Sequence, residues 1–161
     1  MSKLSRREFL KVSGTIGLGA TVFGNFLLHS APARAGEDLY KAESFDATFK
    51  RLFKGKTPSM AKVTLEAPTI AETGATVPIS IDVESPMSQS DYVEAIYVLV
   101  EDNPVPLVGI FHFSPANGKA FLATRIKMAK TSKIHAVAKT NKGDLFSATK
   151  DVKVTLGGCG G

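Results

Sequence analysis

The feature that most constrains the fold is the run Val77-Pro78-Ile79-Ser80-Ile81-Asp82-Val83, in which every second residue is apolar. Side chains of an extended strand point alternately to opposite faces, so Val77, Ile79, Ile81 and Val83 share one buried face. A helix would scatter the same residues around its circumference. Pro78 has no N–H to offer a neighbouring strand, which predicts an edge position for this run. Shorter alternating runs accompany it: Val63 and Leu65, then Ile134, Ala136 and Ala138, then Val152, Val154 and Leu156. Turn signals separate them, namely Glu72-Thr73-Gly74, Ser85-Pro86, Asn117-Gly118 and Lys142-Gly143-Asp144. Phe121 and Ala123 have the opposite parity to Ile126 and Met128, which predicts either a bulge near Arg125 or a break in that strand.

Ahead of the strands, Phe45, Phe49 and Leu52 recur at helical spacing. Ser44 is the expected N-cap, Asp46 suits the positive end of the helix dipole, and Gly55 with Pro58 stops the run, predicting one short helix over residues 45–54 that caps an end of the sheets. About seven short strands and one helix predict an all-β chain, an immunoglobulin-like antiparallel β-sandwich, with a small barrel as the alternative. Cys159 is the single cysteine, so no internal disulfide holds the core.

The first 35 residues stand apart. Ser5-Arg6-Arg7-Glu8-Phe9-Leu10-Lys11 follows the twin-arginine export pattern, with Arg6 and Arg7 as its signature. The weakly apolar stretch that follows, diluted by Gly14, Gly17, Gly19 and Gly24, falls short of the about 20 apolar residues that cross a bilayer. Ala33-Arg34-Ala35 offers a cleavage site. The predicted organisation is a signal peptide over residues 1–35, a β-sandwich domain over 36–156, and an arm over 157–161, with the mature protein in the periplasm. The signal holds five of the 20 basic residues and one of the 15 acids. The remaining 15 bases and 14 acids are nearly balanced, which gives no reason to propose nucleic-acid binding.

Motifs of catalysis are absent: no C-x-x-C, no H-E-x-x-H and no cluster of carboxylates suited to a metal or to paired acid and base. His112 and His135 are isolated and read as structural strand residues. No active site and no cofactor are expected. What remains is the terminus, Gly157-Gly158-Cys159-Gly160-Gly161, a lone thiol flanked by glycines on a tail expected to pack on nothing. The thiolate is the nucleophile of cysteine, and an exposed one titrates near about 8.5. A reactive group on a flexible arm, on a domain without an active site, is the layout of a carrier. Lys150 and Lys153 lie on the strand leading to the arm and are either a grip for anionic cargo or ordinary solvated lysines.

The twin-arginine signal, the sandwich pattern and the terminal Gly-Gly-Cys-Gly-Gly together resemble the SoxY family, the sulfur-compound carriers of the Sox sulfur-oxidation system. The tail matches without departure. The resemblance implies that Cys159 is the covalent attachment site for inorganic sulfur compounds such as thiosulfate, that Gly157, Gly158, Gly160 and Gly161 form a swinging arm, and that separate periplasmic Sox enzymes process the cargo. It also implies a heterodimer with the SoxZ subunit. Residues 95–100 and 107–113 are apolar on both faces, so Val98, Val100, Leu107, Ile110 and Phe111 either dock a partner or belong to central strands covered by their own domain. Two rival functions are a ubiquitin-like carrier using a thiocarboxylate at Gly161, and a periplasmic binding module whose cysteine forms intermolecular disulfides.

Overall fold

The computed structural model describes residues 39–158. The predicted signal, including Arg6 and Arg7, and the residues Cys159, Gly160 and Gly161 lie outside the described residues. In chain order the elements are helix α1 (Phe45–Phe53) and strands β1 (Val63–Glu66), β2 (Ile70–Thr73), β3 (Val77–Val83), β4 (Val93–Val100), β5 (Leu107–His112), β6 (Ala120–Ile126), β7 (Ser132–Thr140) and β8 (Leu145–Leu156). One sheet has the order β1-β3-β6 and the other β2-β8-β7-β4-β5. They pack face to face as an immunoglobulin-like β-sandwich. All pairs are antiparallel except β2 with β8, which run parallel at one edge.

The alternating run forms β3 and behaves as its pattern requires, with Val77, Ile79, Ile81 and Val83 buried. Its position is not at an edge, however. β3 is the middle strand of its sheet, and Pro78 is tolerated because β1 stops early, its last partner being Ser80. Beyond that point β3 meets β6 alone, so the missing N–H faces no strand. Opposite β3, the second sheet contributes Ile96, Val98 and Val100 from β4, Ile134, Ala136 and Ala138 from β7, and Val152 from β8 to one continuous core.

The doubly apolar strands are explained within the chain. Val98, Val100 and Leu107 are buried, so they offer no docking surface. β4 turns Ile96, Val98 and Val100 to the sandwich core, while Leu99 and Tyr97 face a second cluster beneath α1. That cluster joins Leu99, Leu107 and Val137 to Phe45, Phe49, Leu52 and Phe53 of the helix. The helix therefore covers a face of the five-stranded sheet and does not cap its end. Its start is as expected: Ser44 is the N-cap and its hydroxyl accepts a hydrogen bond from Ala47 N–H at 3.3 Å. Lys54 closes it in the left-handed conformation with Gly55 following. Fully burying each large apolar side chain contributes about 1.5–3 kcal/mol, and this second layer is why both faces of β4 are hydrophobic.

β6 contains neither the bulge nor the break that its pattern predicts. β6 pairs with β3 without interruption from Ala120 to Ile126, passing straight through Arg125. Its inward parity is set by Ala120 and Ile126, while Phe121, Ala123 and Arg125 face out. One register slip lies in β5, where Val98 pairs with Gly109 but Leu99 with Leu107, leaving Val108 as the extra residue. That extra residue lets Leu107 and Ile110, three apart, both reach the cluster under the helix.

Candidate functional site

Of the five residues of the predicted arm, Gly157 and Gly158 are described. The chain does not leave the domain at Leu156. Gly158 is buried, and its N–H donates to the carbonyl of Met128 at 3.0 Å. Met128 N–H donates to the carbonyl of Gly74 at 2.7 Å, and Gly74 N–H donates to the carbonyl of Leu156 at 2.7 Å. Three segments far apart in sequence, the β2–β3 turn, the β6–β7 loop and the end of β8, thus close a triangle of backbone hydrogen bonds. The expectation of a tail that packs on nothing does not extend to these two glycines. The sequence signal was misleading because two adjacent glycines read as freedom, whereas their partners here are backbone atoms that leave no mark in the residue pattern.

The triangle is braced from below. Asn103, 5 % exposed in the β4–β5 turn, donates from Nδ2 to the carbonyl of Lys127 at 2.9 Å and accepts the N–H of Ala129 on Oδ1 at 2.9 Å. One amide side chain so holds both sides of Met128. The neighbouring Asp102 N–H donates to Ser132 Oγ at 3.0 Å, and the Asp102 carboxylate meets Lys130 Nζ at 3.0 Å. The hydrogen bond from Lys130 holds the Asp102 carboxyl below the usual carboxylate range, against a weaker opposing effect of burial. Thr131 ties the same loop to β8, its Oγ1 accepting the N–H of Val154 at 2.9 Å. Sequence reading passed over Asn103; an asparagine between Asp102 and Pro104 signals a turn, and nothing local tells that its amide reaches across to residue 127.

Lys150 and Lys153 do not act as a pair. They stand three residues apart on β8, whose pairing with β7 and β2 is regular, so they point to opposite faces of the sheet. Lys153 borders a shallow depression of about 460 Å³ together with Lys133, but Glu101, Asp102 and Asp151 line it too. The mixed signs give no focused site for an anion. Among the described residues no group of three histidine, cysteine or carboxylate side chains converges on a metal position. His135 stacks on Phe45 with ring centroids 4.6 Å apart, and its Nε2 lies 2.8 Å from Glu101 Oε1, a contact between the sheet and the helix layer. His112 ends β5 and is exposed.

A family model described as "Sulfur oxidation protein SoxY" matches residues 49–159. Among solved structures, the sulfur carrier protein SoxY from Chlorobium limicola f thiosulfatophilum is 30% identical with a TM-score of 0.56, covering 69% of this chain and 96% of that one. Superoxide reductase (neelaredoxin) from Ignicoccus hospitalis is 18% identical with a TM-score of 0.51, covering 73% of this chain and 96% of its own, a likeness of fold alone. No curated protein matches the chain.

Proposed function

Because this chain belongs to the SoxY family, we propose that it is a sulfur carrier which holds thiosulfate-derived intermediates on Cys159 while separate Sox enzymes act on them. The observation that carries this reading is the reach of the family match, which runs through the domain and ends on Cys159 itself. The domain supplies an anchored base for the tail, and the chemistry belongs to the thiol. Joining thiosulfate to that thiol forms a sulfur–sulfur bond, Cys–S–S–SO₃⁻. It releases the thiol proton and two electrons, which pass to a redox partner enzyme. Hydrolysis of the terminal sulfonate then consumes one water, releases sulfate and two protons, and leaves a persulfide anion, Cys–S–S⁻, on the carrier. In this reading the protein is not itself an enzyme, SoxZ is its stable partner, and twin-arginine export through Arg6 and Arg7 delivers it to the periplasm.

The test is intact mass analysis of the reduced chain with SoxZ, thiosulfate and the Sox enzymes, before and after a reductant. A reductant-labile thiosulfonate adduct on Cys159 is expected, and Cys159→Ser should carry none while keeping its melting temperature and its SoxZ complex. Sulfur found on the Gly161 carboxylate would assign the chain to ubiquitin-like thiocarboxylate carriers. Disulfide-linked dimers as the sole product would reduce it to a binding module.

A further inference from the structure

Gly74, Gly157 and Gly158 differ from the glycines at ordinary turns. Gly55, Gly118 and Gly143 have φ of 76, 69 and 85°, in the left-handed region that side chains rarely adopt. The other three are not among the residues of positive φ, so any amino acid's backbone could follow their path. What they cannot carry is a Cβ. A Cβ on Gly74 would overlap the carbonyl oxygen of Met128 and lie 2.7 Å from Gly158 N. One on Gly158 would lie 2.6 Å from the Gly74 carbonyl carbon and oxygen and 2.8 Å from Ala75 N, and one on Gly157 would overlap the Ala129 carbonyl oxygen. Every one of these obstacles is backbone, which cannot rotate aside as a side chain can. Glycine is required on both sides of the contact for closeness, so the contact is built from both sides.

The geometry points to Gly74 as a positioning residue for the arm: with Met128 it forms a seat that holds Gly158 and fixes where Cys159 leaves the domain, and the arm gains its full reach only when that seat opens. With the seat closed, Cys159 is one residue, at most roughly 3.6 Å of chain, beyond a held backbone atom. With it open, the free chain starts after Leu156 and spans about 10 Å to the same residue. Gly158 is held past Leu156 by one hydrogen bond and by contact, and nothing apolar larger than a glycine is buried to keep it there. The closed and open arms are therefore close enough in free energy for a docking enzyme to choose between them. The relevance to sulfur cargo rests on the carrier reading above, while the seat itself does not.

The experiment attaches a nitroxide to Cys159, the single cysteine of the chain, in the mature protein and in its Gly74→Ala and Gly158→Ala variants, and follows amide exchange of residue 158 in parallel. The wild type should show a slow spectral component and a protected Gly158 amide. Both variants should lose the slow component, with exchange at residue 158 at least about tenfold faster, the equivalent of one hydrogen bond. Melting temperature should be unchanged in Gly158→Ala, which lies beyond the last strand and so decides the matter if Gly74→Ala fails to fold. A wild-type label that is wholly mobile, or a slow component that survives Gly158→Ala, overturns the seat. Neither readout depends on sulfur loading, so a positive result without any thiosulfonate adduct would keep the seat and reject the carrier.

Discussion

Replacing Asn103 by alanine tests whether the loop beneath the seat is held by a neutral amide or by the ion pair beside it. The substitution removes two hydrogen bonds of 2.9 Å, one to Lys127 O and one from Ala129 N. Each is worth about 1 kcal/mol net, and leaving a buried backbone group without a partner costs about 1–3 kcal/mol more than that where water cannot enter. Asn103 is 5 % exposed, so water reaches the vacated space only in part. The expected loss is about 2–4 kcal/mol. For a domain of this size that lowers Tm by roughly 8–16 °C. The comparison variant is Lys130→Ala, which breaks the 3.0 Å contact to Asp102 between side chains that are 65% and 43% exposed. An ion pair so exposed is worth about 0.2–1 kcal/mol, so this variant should move stability by no more than about 1 kcal/mol. Urea unfolding of both reads the difference directly. Equal small shifts in the two variants would refute the ranking and with it the view that Asn103 organises the loop.

Other expectations follow from the same geometry. Leu99→Ala should cost about 2–5 kcal/mol in urea unfolding, because Leu99 is fully buried between the sheet and α1; a loss well under about 1 kcal/mol would mean the helix does not cover that face. Val98→Asp should prevent folding outright, since its side chain is buried in the core; a folded Val98→Asp monomer defective only in SoxZ binding would restore a docking role. Asp102 contributes stability above the ordinary carboxylate range that is lost as pH falls through its lowered folded value, because Lys130 favours its charged form. In Lys130→Ala its NMR titration midpoint should move upward, and an unmoved midpoint would reject that cause. Under the proposed carrier role, valine at both Gly157 and Gly158 should leave the thiol reactive toward a small reagent while slowing turnover by Sox enzymes, and comparison with Gly158→Ala separates the loss of the seat from the added bulk of the arm.

The parts of the fold that were legible in sequence are those whose cause is local. Ser44 and the phenylalanine spacing announce α1, and the alternation of β3 and β7 announces their buried faces. β2 leaves no strand signal, and the turn pattern Glu72-Thr73-Gly74 overlaps its second half, because it is four residues long with one buried side chain, Ala71, and owes its existence to hydrogen bonds with β8. The first half of β8 was missed because Ser147, Ala148 and Thr149 show no apolar alternation; their place is set by pairing with β7. At the tail, the type and position of Cys159 were plain from sequence, but the seat was not. It is made of main-chain atoms at residues 74, 128 and 158, and main-chain geometry is common to all sequences until tertiary contacts choose among its forms.

β8 has a consequence for how the protein is made. It is the last of the described strands in chain order, yet it lies inside its sheet between β2 and β7, so both neighbours wait for a segment synthesised after them. Its contacts with β2 link residues more than eighty positions apart, the kind of pairing that forms late. A product truncated before residue 145 would have two unpaired strand edges and an incomplete core, and would fall to proteases or aggregate. The thiol lies three residues beyond Leu156. A chain whose five-stranded sheet is complete has therefore been translated to within three residues of Cys159.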